Sequence, residues 1–140
     1  MASRVLVTGG AGFIGSHTCI VLLEAGYDLL ILDNFSNSSR EALTRVAALA
    51  NVPLNNQRLQ IQHGDIRDQH TLDQLFSDAG ASDRPFKAVI HFAGLKAVGE
   101  SVDRPLHYWD VNVAGSRTLL EAMDAHACRT IVFSLSLIHI

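Results

Sequence analysis

Gly9, Gly12 and Gly15 punctuate the run Thr8-Gly9-Gly10-Ala11-Gly12-Phe13-Ile14-Gly15, which follows the apolar stretch Val5-Leu6-Val7. In a strand–turn–helix each glycine has a physical task. Gly9 permits a tight turn, Gly12 lets backbone approach an anion without an intervening Cβ, and Gly15 lets the helix pack closely on the strand. The first N–H groups of that helix have no partner within it, and the helix dipole is positive there. Together they form a cradle for a pyrophosphate. A second apolar run, Leu29-Leu30-Ile31-Leu32, stops at Asp33, 18 residues beyond Gly15. That is close to the ~20 residues at which such turns place the acid that accepts hydrogen bonds from an adenosine ribose. A carboxylate there repels a 2′-phosphate, so the expected cofactor is NAD rather than NADP. Arg40 lies further along the chain, where it moderates that repulsion.

Holding these groups in place takes alternating strands and helices. Strand-like apolar runs fall at 4–8, 28–33, 58–63, 86–91 and 129–134, and helical stretches at 13–25, 39–50, 69–79 and 104–126. The alternation predicts an α/β fold, a Rossmann-like doubly wound parallel sheet in the order 3-2-1-4-5, truncated after the fifth strand. Strand three alternates polar and apolar residues, as a half-exposed edge does; the others are more continuously apolar. On the first helix Ile14, Val21, Leu22 and Ala25 recur at helical spacing, and Gly26 ends it. Asp103 is placed to cap the last helix, with Pro105 in its first turn. Trp109, Val113, Leu120 and Met123 are expected to pack that helix.

The 140 residues suffice for one domain with a core, and 48% apolar with 18% charged content suits a buried sheet. A net charge of −3 without a basic tract argues against nucleic-acid or anionic-membrane partners. The start runs directly into a strand with no signal-peptide layout, and no apolar stretch approaches the ~20 residues of a membrane span. Cys19 and Cys128, both read as helical, form no paired motif. Reduced thiols and a cytoplasmic setting follow. The seven histidines show no metal-ligand spacing, so no metal site is expected. His91 reads as packing at a strand end. His17 reads as structural, at a helix start within reach of a cofactor.

The fourth strand ends in His91-Phe92-Ala93-Gly94-Leu95-Lys96-Ala97-Val98-Gly99-Glu100-Ser101, a loop of small residues on the ligand side of the sheet. Lys96 is suited to a phosphate or ribose, and Glu100 and Ser101 to a polar substrate. This run and the opening Val5–Thr18 resemble the UDP-glucose 4-epimerases, a branch of the extended short-chain dehydrogenase/reductase family, over about residues 4 to 134. The glycine motif is shared across that superfamily; the Phe92–Ser101 string is far more specific.

By position, the resemblance implies cofactor contacts at Phe13 and Ile14 in the glycine loop. It implies further contacts at Asp33, Asn34, Phe35, Ser36, Asn37 and Ser38 around the adenosine ribose. Asp65 and Ile66 match the pair beside the adenine, although Asp65 also reads as a cap for the next helix. Phe92, Ala93, Gly94, Leu95 and Lys96 match the loop along the nicotinamide half, and Asn112 the helix asparagine near the active site. Val111 stands where the family often has another asparagine. The implied activity is C4 epimerisation of a UDP-sugar in galactose metabolism. A tyrosine takes the C4 hydroxyl proton, hydride passes to bound NAD, the 4-keto sugar turns over, and hydride returns to its other face. The implied full-length protein is a homodimer.

Tyr27 and Tyr108 are the only tyrosines, and neither has a lysine four residues on. The family's Tyr-x-x-x-Lys pair and sugar-binding domain are therefore expected outside this sequence. This chain by itself is expected to be inactive. Leu135-Ser136-Leu137-Ile138-His139-Ile140 departs from the family and resembles the translation of a transposon end used in sequencing libraries. We therefore expect an incomplete NAD-binding domain over 1–134 and a non-native tail over 135–140. Ser136 falls on the family's substrate-site serine. The competing readings are a nucleotide-sugar dehydratase or decarboxylase, and a non-catalytic NAD-sensing domain.

Overall fold

The computed structural model of the chain describes residues 3–35, 39–92 and 98–134. Expectations attached to Ser36, Asn37, Ser38, Ala93, Gly94, Leu95, Lys96 and Ser136, and to the tail 135–140, lie outside the described residues. Five strands pair in parallel in the order β3-β2-β1-β4-β5, as the sequence pattern predicts. They are β1 (Arg4–Thr8), β2 (Asp28–Asp33), β3 (Leu59–His63), β4 (Phe86–His91) and β5 (Ile131–Phe133).

Successive residues of β1 and β2 serve opposite faces. Val5, Val7, Leu29 and Ile31 join Cys19, Leu23, Leu43 and Val46 beneath α1 (Phe13–Glu24) and α2 (Arg40–Ala50). Leu6, Leu30, Leu32 and Val89 join Leu72, Phe76, Leu119 and Met123 beneath α3 (Gln69–Ala81) and α6 (Gly115–Ala125). A sheet covered on both faces needs apolar residues at consecutive positions, which is why β1 and β2 read as unbroken runs. At the β3 edge Leu59 is buried while Gln62 and His63 are exposed. At the other edge Val132 and Phe133 of β5 are exposed.

Several local expectations are corrected. The core face of α1 is Gly15, Cys19 and Leu23, while Val21 and Ile14 are exposed. That helix is apolar nearly all round, so spacing could not select its face. Residues 98–103 form α4 (Val98–Asp103), not loop, so Asp103 already lies within a helix. The N-cap of α5 (Pro105–Trp109) is Arg104, without a side-chain cap, and Pro105 opens the helix as expected. Between α5 and α6 lies a π turn, Asp110–Ala114. There Ser116 Oγ and Thr118 Oγ1 donate to the carbonyls of Asn112 and Ala114 at 2.7 and 2.9 Å, bonds that compete with helical amides. Of the apolar residues expected to pack this helix only Met123 is buried; Trp109, Val113 and Leu120 are exposed. Cys128 is buried but follows α6 rather than lying in it.

The amino ends of the strands are tied by charge. Arg58 and Arg84 both donate to Asp28, at 3.2 and 2.6 Å. Arg4, which is buried, donates to the Arg84 carbonyl and to Gln60 Oε1, and its guanidinium lies 4.9 Å from the Phe86 ring centre.

Candidate functional site

The carboxyl ends of β1, β2 and β4 converge on the glycine turn. Gly9 has φ +73°, a left-handed conformation that strains any side-chain-bearing residue. Its N–H donates to the Leu32 carbonyl at 2.8 Å, pinning the turn to β2. Gly12 is the extended N-cap of the 12-residue α1 and offers no side-chain acceptor. As a result the N–H groups of Phe13 and Ile14 have no hydrogen-bond acceptor among the described residues. Two uncapped amides at the positive end of a helix are the donors an anion requires. The Phe13 side chain is 81% exposed and flanks them.

A Cβ on Gly15 would stand 2.4 Å from the Gly9 carbonyl oxygen and 3.0 Å from Gly10 Cα. The close approach made possible by Gly15 is thus to the turn itself, not to the strand. Gly10, for which the sequence supplied no task, is equally constrained: its Cβ would meet Ile31 Cγ2 at 2.6 Å and Cys19 Sγ at 3.3 Å. His17 Nδ1 lies 2.8 Å from the Phe13 carbonyl, and its ring lies against Phe13 at 4.7 Å, so it is engaged with its own helix.

Asp33 ends β2 and is 7% exposed. Oδ2 accepts the Ala11 N–H at 3.0 Å, and Oδ1 accepts the Phe35 N–H at 2.7 Å. These bonds orient the carboxylate between the glycine turn and the loop beyond β2. A carboxylate has about four acceptor sites, so neither bond exhausts its oxygen. Phe35 sits at φ +57°, stacks on His63 at 5.9 Å and carries the Arg40 guanidinium 4.6 Å from its ring centre.

Asn34 Nδ2 donates to Asp65 Oδ2 at 3.2 Å, joining two residues the resemblance implicated separately. Asp65 also accepts from the Arg67 amide and guanidinium, at 2.8–3.0 Å. Arg67 reaches on to Asp110 Oδ2 at 2.7 Å. Arg67's hydrogen bonds hold the Asp65 carboxyl down at about 2, and its bonds to Asp65 and Asp110 push its own proton affinity further up. The helix-cap alternative for Asp65 is overturned. The cap of α3 is Asp68, which accepts from the amides of His70 and Thr71 at 3.1 and 3.3 Å. Ile66 is buried in the core, against the position a Gly115 side chain would fill.

At the end of β4, His91 is 2% exposed, with Nδ1 2.6 Å from Thr8 Oγ1 and Nε2 3.2 Å from Ser116 Oγ. The Phe92 N–H donates to the Thr8 carbonyl at 2.8 Å. Asn112 sits in the π turn beside this group. Sequence reasoning missed Arg67, Thr8 and Ser116. Ser116 carries a recoverable signal, since a serine four residues after Asn112 on a helix is spaced to bond back to its carbonyl. Thr8 carries none, because its partner lies 83 positions away; Arg67 stands two residues from Asp65, but its reach to Asp110, 43 positions on, leaves no local signal.

This arrangement belongs with a known set of proteins. The sequence profile of the family described as GDP-mannose 4,6 dehydratase matches residues 6–136, from β1 through the glycine turn, Asp33, Asp65 and Asn112 to β5. The chain belongs to this family. A UDP-glucose 4-epimerase of Arabidopsis thaliana is 52% identical over 97% of the chain, and one of Yersinia pestis 51% identical over 94%. The chain spans 37% and 36% of the lengths of those relatives. The crystal structure of UDP-glucose 4-epimerase from Bifidobacterium longum in complex with NAD+ and UDP is 44% identical and superposes with a TM-score of 0.84. That match covers 94% of this chain and 36% of that one. A Stenotrophomonas maltophila epimerase with bound NAD and formylated UDP-arabinopyranose is 37% identical, with a TM-score of 0.83; the match covers 94% of this chain and 36% of that one.

Proposed function

We propose that this chain is the N-terminal, NAD-binding part of a UDP-glucose 4-epimerase that interconverts UDP-glucose and UDP-galactose. The carrying observation is the pair of uncapped amides at Phe13 and Ile14 next to a turn whose Ala11 amide orients the buried Asp33 carboxylate. An anion and a ribose are the two groups these donors and this acceptor satisfy. Relatives whose solved structures hold NAD support the same assignment.

The residues divide by chemistry. Gly9, Gly12, Phe13, Ile14 and Gly15 take the pyrophosphate. Asp33, Asn34, Phe35 and Ser36–Ser38 take the adenosine ribose, and Asp65 and Ile66 lie beside the adenine. Phe92, Ala93, Gly94, Leu95 and Lys96 line the nicotinamide half, with Asn112 near the reacting sugar. NAD, when bound, supplies the hydride acceptor and donor that C4 inversion needs. The chain's own groups bind and orient; the proton at the C4 oxygen needs an acid/base that neither Tyr27 nor Tyr108 provides as a Tyr-x-x-x-Lys pair. The chain alone is therefore inactive in this reading, and robust turnover of UDP-galactose by it refutes the point.

The full-length protein forms a homodimer in this proposal. Leu106, Trp109 and Val113, at three- and four-residue spacing, with Leu120 seven residues on, leave exposed apolar side chains along α5–α6, suited to a second copy. No helix among the described residues is long and apolar enough to cross a membrane. Two buried free thiols suit a reducing, cytoplasmic compartment. Calorimetric titration of the chain with NAD and NADP tests the core of the proposal. NAD binds measurably tighter than NADP if it holds, and a folded chain that takes up neither overturns it.

A further inference from the structure

β1, β4 and the π turn meet at one buried imidazole, and counting hydrogens fixes its state. Ser116 Oγ lies 2.7 Å from the Asn112 carbonyl oxygen. A carbonyl has no hydrogen to give, and two bare oxygens at that distance repel, so the serine's single hydrogen is committed there. Toward His91 Nε2, at 3.2 Å, Ser116 Oγ then has only a lone pair, and Nε2 must be the donor. The ring is 2% exposed and packs 5.1 Å from the Phe133 ring. A neutral ring with its hydrogen on Nε2 has a lone pair on Nδ1, and Thr8 Oγ1 donates to it at 2.6 Å.

We infer that His91 is held as the neutral Nε2–H tautomer in a one-way chain, Thr8 to His91 to Ser116 to the Asn112 carbonyl, and that this chain positions the cofactor-binding segments relative to one another. Thr8 immediately precedes Gly9 of the glycine turn, His91 immediately precedes Phe92, and Asn112 is the residue assigned beside the reacting sugar. A single ring thus sets the spacing between the pyrophosphate cradle, the start of the nicotinamide loop and the π turn. In this inference His91 acts through the groups it bonds, as a positioning residue. The positioning half of the inference rests on the NAD reading, while the tautomer does not.

Both halves are tested on the 140-residue chain. A long-range proton–nitrogen correlation spectrum of the nitrogen-labelled chain reads the tautomer, with the His91 signals identified by their loss in His91→Asn. The expected pattern is a hydrogen on Nε2; a hydrogen on Nδ1, or on both nitrogens at neutral pH, overturns the inference. In Ser116→Ala the ring loses its acceptor, so the spectrum moves to a mixture of tautomers, a change that a purely packing role does not produce. NAD affinity falls about tenfold in Ser116→Ala and in Thr8→Val. The double variant loses less than the product of the two, because both act through one ring. A changed tautomer with unchanged NAD affinity removes the positioning role. A wild-type chain that shows Nε2–H yet takes up no NAD refutes the cofactor reading, and the positioning role with it, while leaving the hydrogen-bond chain standing.

Discussion

At the amino ends of the strands, Arg58 and Arg84 converge on Asp28, and Arg4 donates to Gln60 and a backbone carbonyl. At the carboxyl ends, Asp33 accepts two backbone amides while the amides of Phe13 and Ile14 have no acceptor among the described residues. One end is closed by ion pairs and hydrogen bonds that together knit four strands. The other holds a charge in place and leaves donors open. The same sheet therefore separates what keeps it folded from what it binds, along the axis of its strands. Changes at the amino end should alter stability and leave affinity alone; changes at the carboxyl end should do the reverse or both.

The largest expected effect lies at the open end. Gly15→Ala forces a Cβ to 2.4 Å from the Gly9 carbonyl. That contact is with backbone and cannot be relieved by a rotamer change. We expect about 3 kcal/mol of destabilisation in urea unfolding and no NAD uptake by calorimetry. Asp33→Ala removes the ribose acceptor and strands the Ala11 and Phe35 amides. It should weaken NAD by at least about tenfold and narrow the preference over NADP, at a stability cost of about 2 kcal/mol. Equal binding by wild type and variant would dissolve the contrast between the two ends.

Asp28→Asn sharpens the contrast from the other side. It leaves Arg58 and Arg84 without their anion and should cost about 2 kcal/mol. That is below the figure for a fully buried pair because the Arg58 side chain is 39% exposed. NAD affinity of the folded fraction should not move; a parallel fall in affinity would mean that the two ends are coupled. The smallest effect is a pH dependence. Asp65 is held at about 2, below its unfolded range. Its contribution is thus full above the unfolded carboxylate value near ~3.9 and fades as pH drops toward 2. Because Arg67 is 35% exposed, screening limits the contribution to about 1 kcal/mol. Asp65→Asn should remove that share of the acid limb in a stability titration between pH 4 and 2.

The architecture was legible because the strongest signals in the chain are local. The unbroken runs of β1 and β2, the alternation in β3, and the order of glycines and acid each depend on residues close in sequence. What escaped depends on partners far away or on competition between neighbours. The face of α1 was misread because its apolar residues ring the helix. From sequence Asp65 reads equally as cap or adenine contact, because nothing local shows that Asp68, three residues on, is the better-placed cap. The π turn was invisible because Asp110–Ala114 carries no proline or glycine, and only the Ser116 hydroxyl hints at it. Trp109, Val113 and Leu120 have core-like side chains but an open face, which helical spacing does not distinguish from a buried one.

Cys19 lies directly beneath the glycine turn, fully buried, and burial pushes its thiol up to about 12. A reagent that needs a thiolate can reach it only in the moments when α1 lifts away from the turn. Any occupant that clamps the first turn of α1 makes those moments rarer. With Cys128 replaced by alanine, the speed at which the chain takes up a thiol label becomes an internal gauge of how often the mouth of the sheet is filled.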